Sequence, residues 1–318
     1  MTLSQLRTFC AVARLNSFSR AAEKLHLTQP AVSAQVVALE EFLKVKLFDR
    51  VGKKIALSDS GRIALLAAEE ILGRVASLNR ELSDLQELKA GHIAIGASQV
   101  VGGYLLPELL AQFRSEVPGI ELDMRVEPAR RIVEMLIEGE VDIAIIGEGG
   151  HFSDDRIAVK PILADELILI VPCNHIFAEM KSVPPTSLVH MPLVLPRRDF
   201  ASSESLLEQL ASEGIRPASV MELGNVGAVK RAVEAGLGIA IVSRLAVARE
   251  LEDGRLKSVR IKGMKLERQI SLCWHHARPF SRATEAFIGF VNRHVAARAA
   301  THALKDGTRS GALNSPAE

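Results

Sequence analysis

A short run near the N-terminus combines an amide, two hydroxyls and a proline: Thr28, Gln29, Pro30 and Ser33. A Gln side chain can form two hydrogen bonds with adenine, and a Ser hydroxyl can pair with several base edges. Thr28 is a favourable N-cap, and Pro30 would fall in a first helical turn, where its missing N–H does no harm. The run therefore predicts the exposed N-terminal end of a helix that could enter a DNA major groove.

A cationic group follows about twenty residues further along the chain. Residues 47–57 read as a strand, a glycine turn and a second strand, and Arg50, Lys53 and Lys54 lie around the turn. Cations on such a two-stranded wing can reach phosphates or a narrow minor groove. The segment therefore predicts a second element that contacts DNA.

Charge is unevenly distributed along the chain. The net charge of +1 over 318 residues argues against a general polyanion binder. Residues 1–60 hold nine Lys/Arg and five Asp/Glu, a net charge of +4, which leaves −3 on residues 61–318. A basic head on a slightly acidic body is typical of a nucleic-acid-binding module joined to another domain.

Helices must position these side chains. Apolar spacing predicts helices over about residues 2–14 and 18–25, followed by a third helix from Thr28. One face of the third helix is apolar and should face the core, through Val32, Val36, Leu39 and Leu43. Three short helices and a hairpin could also form a protein-docking module, and the spacing of the residues alone leaves this alternative open.

The residues of this head resemble the LysR-type transcriptional regulators over about fifty positions without a gap. The matching positions are Phe9, Phe18, Ser19, Ala21, Ala22, Leu25, Thr28-Gln29-Pro30-Ala31-Val32-Ser33, Leu39-Glu40 and Leu47-Phe48-Asp49-Arg50. Ala34 departs from the pattern, because family members often carry a longer polar or basic side chain there.

The resemblance implies roles for individual residues of the head. It implies that Gln29, Pro30 and Ser33 face base edges, and that Arg50 and Lys53 of the wing touch DNA. We therefore expect the head to be a winged helix-turn-helix that binds double-stranded DNA.

Residues 59–88 contain no proline and predict one long helix. Its apolar residues recur at alternating spacings of four and three, which makes a narrow heptad seam. The seam consists of Ala64, Ala68, Ile71, Val75, Leu78, Leu82 and Leu85. The charged flanks favour a helix pair between two chains, and the alternative is an amphipathic helix that packs on its own chain.

The same resemblance implies that this helix is a linker that dimerises the DNA-binding heads. Two heads related by a dyad would bind an interrupted inverted repeat. We expect a homodimer or a homotetramer, with RNA polymerase as a further partner.

From residue 90 onward, strands and helices alternate in the sequence. The first three predicted strands cover 92–97, 122–126 and 141–146, and the pattern restarts near residues 161–166. Such alternation predicts parallel sheet with helices on both faces. Two such lobes resemble the periplasmic-binding-protein fold of LysR-type effector domains, and the resemblance includes the run 235–242.

The expected fold is thus an α+β winged helix-turn-helix, a long linker helix and an α/β two-lobed effector domain. The predicted boundaries are 1–58 for the head, 59–89 for the linker, 90–300 for the effector domain and 301–318 for a disordered tail. Within the effector domain, we expect lobe I to comprise about 90–161 and 266–300, and lobe II to comprise about 162–265.

Polar residues follow three predicted strands of the effector domain. In α/β sheets, ligands bind at the carboxyl ends of strands and beside helix N-termini. The candidate effector-binding residues at these loops are Ser98, Gln99, Pro196, Phe200, Ser202 and Asn225. Hydroxyls at helix starts suit a small anion, and the alternative for each Ser is simple N-capping.

The resemblance implies that a small effector sits between the lobes near Ser98, Phe200 and Ser202. Val100 and Val101 are apolar where anion-sensing members often have hydroxyls, and Phe200 suits an apolar group. We therefore expect a small anionic organic effector and no cofactor.

The sequence disfavours two other classes of protein. An enzyme is disfavoured, because the chain has no P-loop and no H-E-x-x-H, and the G-x-G of residues 236–238 precedes a strand instead of following one. Adjacent residues of the run 273–276, Cys-Trp-His-His, would point to opposite faces of a strand and could not converge on a metal.

A solute-binding transport protein would share the two lobes. The basic head and the lack of a signal-like segment argue against it.

Cys10, Cys173 and Cys273 are widely spaced and predict reduced thiols. We expect a cytoplasmic protein that has no contact with a membrane.

Overall fold

The computed structural model describes residues 1–51, 54–86, 91–147, 154–197 and 201–295. The chain divides near residue 88 into two compact units. The predicted tail, 301–318, lies outside the described residues, and the finer domain boundaries stay predictions. None of the described helices is both long enough and apolar enough to span a bilayer.

The N-terminal unit contains four helices and one hairpin. In chain order they are α1 (Leu3–Leu15), α2 (Phe18–Leu25), α3 (Gln29–Leu43), β1 (Phe48–Val51), β2 (Lys54–Leu57) and α4 (Asp59–Gln86). Asn16 (φ 46°) and His26 (φ 55°) adopt the left-handed conformation and end α1 and α2. These two turns let three short helices fold back on one another, as the spacing predicted.

Three aromatic rings form the centre of the head. Phe48 of the wing lies with its ring centroid 5.5 Å from that of Phe9 and 5.7 Å from that of Phe18, both edge to face. Val32 and Leu39 of α3 are fully buried against this core, as predicted. Leu43 is 36% exposed, so its assignment to the core was wrong: α3 ends at this residue, beyond the edge of the core.

Glu40 ties α3 to the wing. It is buried, and its Oε1 accepts hydrogen bonds from the backbone N–H groups of Leu47 (2.8 Å) and Phe48 (3.4 Å). Its Oε2 accepts a hydrogen bond from Nζ of Lys46 at 2.7 Å. A carboxylate with this many donors is well compensated for its burial, so α3 and β1 are held as one body.

The second unit begins with three parallel strands. These are β3 (His92–Ala97), β4 (Glu121–Val126) and β5 (Ile143–Gly147), connected through a π-helical turn (Val101–Leu105), α5 (Leu106–Glu116) and α6 (Ala129–Glu138). The sequence predicts a helix over residues 104–114. The helix in fact begins at residue 99, because the π-helical turn extends it toward its N-terminus.

The rest of the second unit is arranged around one long strand. The elements that follow are β6 (Ile157–Pro172), β7 (Ser182–Val183), a 3-10 turn (Pro185–His190), β8 (Pro192–Pro196), α7 (Ala201–Ser212), β9 (Ser219–Leu223), α8 (Val226–Glu234), β10 (Ala240–Ser243), α9 (Arg244–Glu252), β11 (Leu256–Ile261), β12 (Glu267–His275) and α10 (282–295). The sequence predicts strands over 166–171, 192–195, 220–223, 238–242 and 269–274 in this part of the chain. The sequence analysis thus missed β7 and β11, and it placed the start of β6 nine residues too late.

The large sheet is mixed instead of parallel. Its order is β4-β3-β5-β12-β6-β11-β7, with β10 also paired to β6. The strand β6 pairs with β12, β10 and β11 in antiparallel fashion. The expectation of parallel pairing therefore fails for this half of the sheet, because β6 leads into lobe II and β12 returns antiparallel to it.

Lobe I is completed by the last helix of the described chain. The ring of Phe113 on α5 lies 5.0 Å from that of Phe287 and 5.3 Å from that of Phe290, both on α10. These rings are buried with Ile93 and Ile95 of β3. The predicted return of the C-terminal strand and helix to lobe I is thus confirmed.

The role of Glu40 can be tested by replacing it with Gln. Glu40→Gln keeps the shape but weakens the bonds to Leu47 and Phe48, which should lower local stability by about 1–3 kcal/mol. Hydrogen exchange of the peptide spanning residues 44–57, measured in the full chain, should then be faster. Glu41→Gln is the matched control, because Glu41 is exposed. Equal exchange rates in the two variants would contradict the role of Glu40.

Candidate functional site

The N-terminal end of α3 presents polar side chains to solvent. The Oγ1 of Thr28 accepts a hydrogen bond from the N–H of Ala31 at 3.4 Å, so Thr28 is the N-cap, as predicted. Gln29 and Pro30 are exposed, and Ser33 is half-exposed. The Nε2 of Gln29 donates to Oγ of Ser33 at 2.9 Å, so the two side chains share one face of the helix.

A polar contact that the sequence analysis missed holds α3 against α1. The Oε1 of Gln35 accepts hydrogen bonds from Oγ1 of Thr8 (2.7 Å) and from Oγ of Ser4 (3.2 Å). Thr8 is buried, and this bond supplies its hydroxyl with an acceptor. Gln35 lies two residues beyond Ser33, and this contact therefore orients the face that Gln29 and Ser33 share.

The predicted wing is present as an antiparallel hairpin. Arg50 pairs with Ile55, and Val51 pairs with Lys54, at the tip of β1 and β2. Their backbones place Arg50 and Lys54 beside the turn, but their side chains lie outside the described part of the structure, as does the whole of Lys53. Their contacts with DNA therefore stay predictions.

The first turns of α4 pack on their own head. Ala68 is 1% exposed in the head core, and Ala64, Leu65 and Leu72 pack against the same core. The placement of Ala64 and Ala68 in a seam between chains was therefore wrong, because these small side chains fit closely against the head. Here the alternative of an amphipathic helix packing on its own chain is the correct one.

A different set of apolar residues on α4 is exposed. Large apolar side chains that are at least 40% exposed are Ile63, Leu66, Ile71 and Leu78. Val75 is half-buried, and the side chains of Leu82 and Leu85 lie outside the described residues. Ile71 and Leu78 of the predicted seam thus remain available to a second chain, and we refer to Ile63, Leu66, Ile71 and Leu78 as the α4 stripe.

Ser98 lies at the carboxyl end of β3 and joins two strands. It is buried, and its Oγ accepts a hydrogen bond from the N–H of Gly147 at the end of β5 (3.0 Å). Its carbonyl accepts from the N–H of Gly102 at 2.8 Å, and Gln99 beside it is half-buried. The hydroxyl of Ser98 therefore has a structural partner in lobe I, beyond the simple N-cap considered for it.

The loop after β8 places Ser203 in the interior. Ser203 is 2% exposed, and its Oγ donates to the carbonyl oxygen of Pro196 at 3.1 Å. Phe200 and the side chain of Ser202 lie outside the described residues. The sequence analysis chose Ser202 and missed Ser203, because α7 begins at Ala201 and so both Ser residues fall in its first turn.

Asn225 is a helix cap in this structure. It is exposed, and its Oδ1 accepts a hydrogen bond from the N–H of Ala228 at 2.9 Å, which caps α8. Its role toward an effector stays a prediction.

A buried ion pair that the sequence analysis missed lies between the predicted effector residues. The Nε of Arg268 on β12 donates to Oδ2 of Asp165 on β6 at 2.7 Å, and the side chains are 8% and 1% exposed. Arg268 lines a pocket together with Val100, Pro196 and Ser203. Strand alternation could have revealed it, because Arg268 lies on the same face as the buried Ile270.

Two of the three thiols are buried in apolar surroundings. Burial raises the pKa of Cys10 and that of Cys273 to about 12, whereas Cys173 is exposed. The thiolate is the reactive form of cysteine, so the two buried thiols should be inert at neutral pH.

This difference can be measured by alkylation. Iodoacetamide at pH 8 should modify Cys173 in the native protein and leave Cys10 and Cys273 unmodified until a denaturant is added. Mass spectrometry of tryptic peptides identifies the modified sites. Modification of Cys10 or Cys273 in the native protein at a rate near that of Cys173 would contradict their burial.

Both units match models of known families. Residues 3–62 match the model described as bacterial regulatory helix-turn-helix protein, lysR family, and residues 86–296 match the LysR substrate binding domain. A probable RuBisCO transcriptional regulator from Cyanophora paradoxa is 36% identical over 290 residues, which cover 90% of each chain.

Solved structures show the same fold. A full-length OxyR variant from Pseudomonas aeruginosa aligns with a TM-score of 0.63 at 23% identity, covering 92% of this chain and 94% of the other. Full-length CbnR, solved in a complex with its target DNA, aligns with a TM-score of 0.54 at 22% identity, covering 93% of this chain and all of the other.

Proposed function

This chain belongs to the LysR family of bacterial regulatory helix-turn-helix proteins, and from that membership we propose that it regulates transcription by binding promoter DNA through α3 and the wing. The observation that carries the proposal is the pair of Gln29 and Ser33, which lies on the outer N-terminal face of α3, whose other side is buried through Val32, Val36 and Leu39. A polar face on a rigid helix suits base readout in the major groove.

The wing would supply the second contact. Arg50, Lys53 and Lys54 would bind phosphates or the minor groove, which positions the head without reading sequence. Glu40 supports this division of roles, because it holds β1 to α3 and so fixes the distance between the two contacts. The CbnR structure contains target DNA, and this supports the same use of the shared fold here.

The α4 stripe supports self-association. Four large apolar side chains exposed along one helix are unfavourable in water and would be buried by a second copy of the chain. Two heads related by a dyad would then bind an interrupted inverted repeat. We propose a dimer of heads as the DNA-binding unit, with RNA polymerase as the partner that reads its output.

The second unit would sense a small molecule. Pro196, Ser203 and Arg268 line one pocket together with Val100. Ser98 lies two residues before Val100, and its Oγ accepts a hydrogen bond from Gly147. We propose that a small anionic organic effector binds here and that no cofactor or enzymatic reaction is involved. The effector can shift the regulator only through its different affinities for two conformations.

Relatives named as probable RuBisCO transcriptional regulators indicate which promoter to test first. The promoter region of the RuBisCO genes is the natural first probe for this chain, and random DNA of equal length is its reference. Because its target would be chromosomal DNA, we propose that the protein acts in the cytoplasm.

Two substitutions distinguish base readout from phosphate binding. Gln29→Ala should remove discrimination at one base position, by roughly 1–3 kcal/mol. Lys53→Ala should weaken binding to all sequences alike and reduce the slope of log K against log salt by about one. Fluorescence anisotropy with point variants of the promoter fragment measures both effects. If both variants lose affinity equally on every sequence, the assignment of roles is wrong.

The α4 stripe is tested by Leu78→Glu. Burying an unpaired carboxylate between two chains is unfavourable, so the variant should lose pairing of its heads and contact single half-sites only weakly. Footprinting on the promoter fragment and sedimentation of the full chain report the two effects. Ile176→Glu is the matched control, because Ile176 is 67% exposed and lies outside α4. An unchanged footprint and mass for Leu78→Glu would refute pairing through α4.

A further inference from the structure

Asp165 and Arg268 face each other across the two strands that connect the lobes. They are register partners in the antiparallel pair β6–β12, and both are buried. The Oδ2 of Asp165 accepts from Nε of Arg268 at 2.7 Å, and its Oδ1 accepts from Oγ of Ser243 at 2.7 Å. The two oxygens of Asp165 therefore bond to two different side chains.

This arrangement leaves part of the guanidinium without a partner. A carboxylate that receives both Nε and Nη2 of one Arg forms the usual two-bond pair, but here Ser243 bonds to the second oxygen. The Nη2 of Arg268 is buried and has no hydrogen-bond acceptor among the described residues. A buried charged donor without an acceptor is unfavourable, so its presence needs an explanation.

The position of Arg268 explains why a buried donor is left without an acceptor. Its side chain lines the pocket that Val100, Pro196 and Ser203 also line, so elements of both lobes surround it. A Cβ built on Gly147 would lie 3.7 Å from Cζ of Arg268, and the N–H of Gly147 donates to Ser98. The guanidinium thus lies near the carboxyl ends of β5 and β8, and Gly147 of β5 bonds in turn to Ser98, a predicted effector residue.

We propose that Arg268 binds the oxyanion group of the effector, a carboxylate or a phosphate, through Nη2. The inference rests on the proposed function of the second unit and names the chemistry that this unit recognises. Arg suits this role because its planar guanidinium can bond to Asp165 along one edge and to an anion along another. Asp165 and Ser243 then act as positioning residues, since they fix the orientation of the guanidinium.

The pair also limits which anions bind. Asp165 offsets part of the charge of Arg268, so an anion gains less there than it would beside an unpaired Arg. Val100 and Leu195 supply apolar surface beside Arg268. An effector with one oxyanion and an apolar remainder therefore matches the pocket better than a small inorganic ion does.

The negative charge of Asp165 determines the direction in which anion affinity should change when this residue is replaced. The double variant Asp165→Asn with Arg268→Gln replaces the buried ion pair by two neutral amides, which avoids leaving a lone buried charge. Asp165→Asn alone keeps Arg268 and removes the opposing charge, so it should bind anions more tightly. A purely structural ion pair predicts no such gain.

The experiment uses the full chain and two probes, sodium phosphate and sodium acetate, each compared with sodium chloride at equal ionic strength. Thermal unfolding measured against probe concentration gives an apparent Kd for each anion. We expect a saturable rise in Tm for the unmodified chain, and a Kd roughly tenfold lower in Asp165→Asn. The double variant should lose at least about tenfold in affinity. The anion with the lower apparent Kd indicates whether the effector carries a phosphate or a carboxylate.

Arg244→Gln is the matched control. Arg244 also pairs with a carboxylate of β6, Glu166, through Nε at 2.5 Å, but this pair is exposed and lies outside the pocket. This control should keep the Kd of the unmodified chain. The proposal is overturned if neither probe gives a saturable shift, or if the double variant keeps the Kd of the unmodified chain.

Promoter binding in the same preparations separates this inference from the proposed function. If the unmodified chain and the double variant both bind the promoter fragment but neither responds to an anion, only the inference about Arg268 fails. If the unmodified chain does not bind the promoter fragment in preference to random DNA, the proposed function fails.

Discussion

The pairing of β6 with β12 is the constraint on which the effector unit depends. The chain enters lobe II along β6 and returns along β12, and the two strands are paired from Ile157 with His275 at one end to Glu166 with Glu267 at the other. Through its neighbours β6 serves both lobes, because β12 pairs with β5 of lobe I while the far end of β6 pairs with β10 and β11. Movement of one lobe against the other must therefore deform this ribbon, and the register shift at Ile270/Ser271 is where it is already irregular.

A second contact joins the two lobes. Lys230 of α8 is 8% exposed, and its ammonium lies 4.7 Å from the ring centroid of Tyr104 in the π-helical turn. The same ammonium donates to Glu250 at 2.7 Å and to the carbonyl of Ala246 at 2.6 Å. A cation bonded within lobe II thus rests on an aromatic ring of lobe I, which favours one relative placement of the lobes without covalent restraint.

Local features of the fold were readable from the sequence, and long-range ones were not. Thr28 caps α3 with its own side chain, and this preference is visible in the sequence. The start of α3 was therefore predicted correctly. Asp165 and Arg268 lie 103 residues apart, and neither shows in sequence that it faces the other. The start of β6 was missed for a related reason, since polar residues interrupt its apolar alternation. Periodicity placed Ala64 and Ala68 on an apolar face, but it does not say which chain covers that face.

The order in which the chain is synthesised determines what a prematurely terminated product contains. Lobe I needs β12 and α10, because the rings of Phe287 and Phe290 complete the core around Phe113. The helices and wing of the head are all encoded before residue 87. A ribosome that stops within lobe II therefore releases a chain with every residue of the proposed DNA-contacting surface and an incomplete lobe I. Nonsense mutations in the last third of the gene should for this reason act differently from early ones: the truncated product, if it survives proteolysis, can occupy the same operators and pair with intact chains.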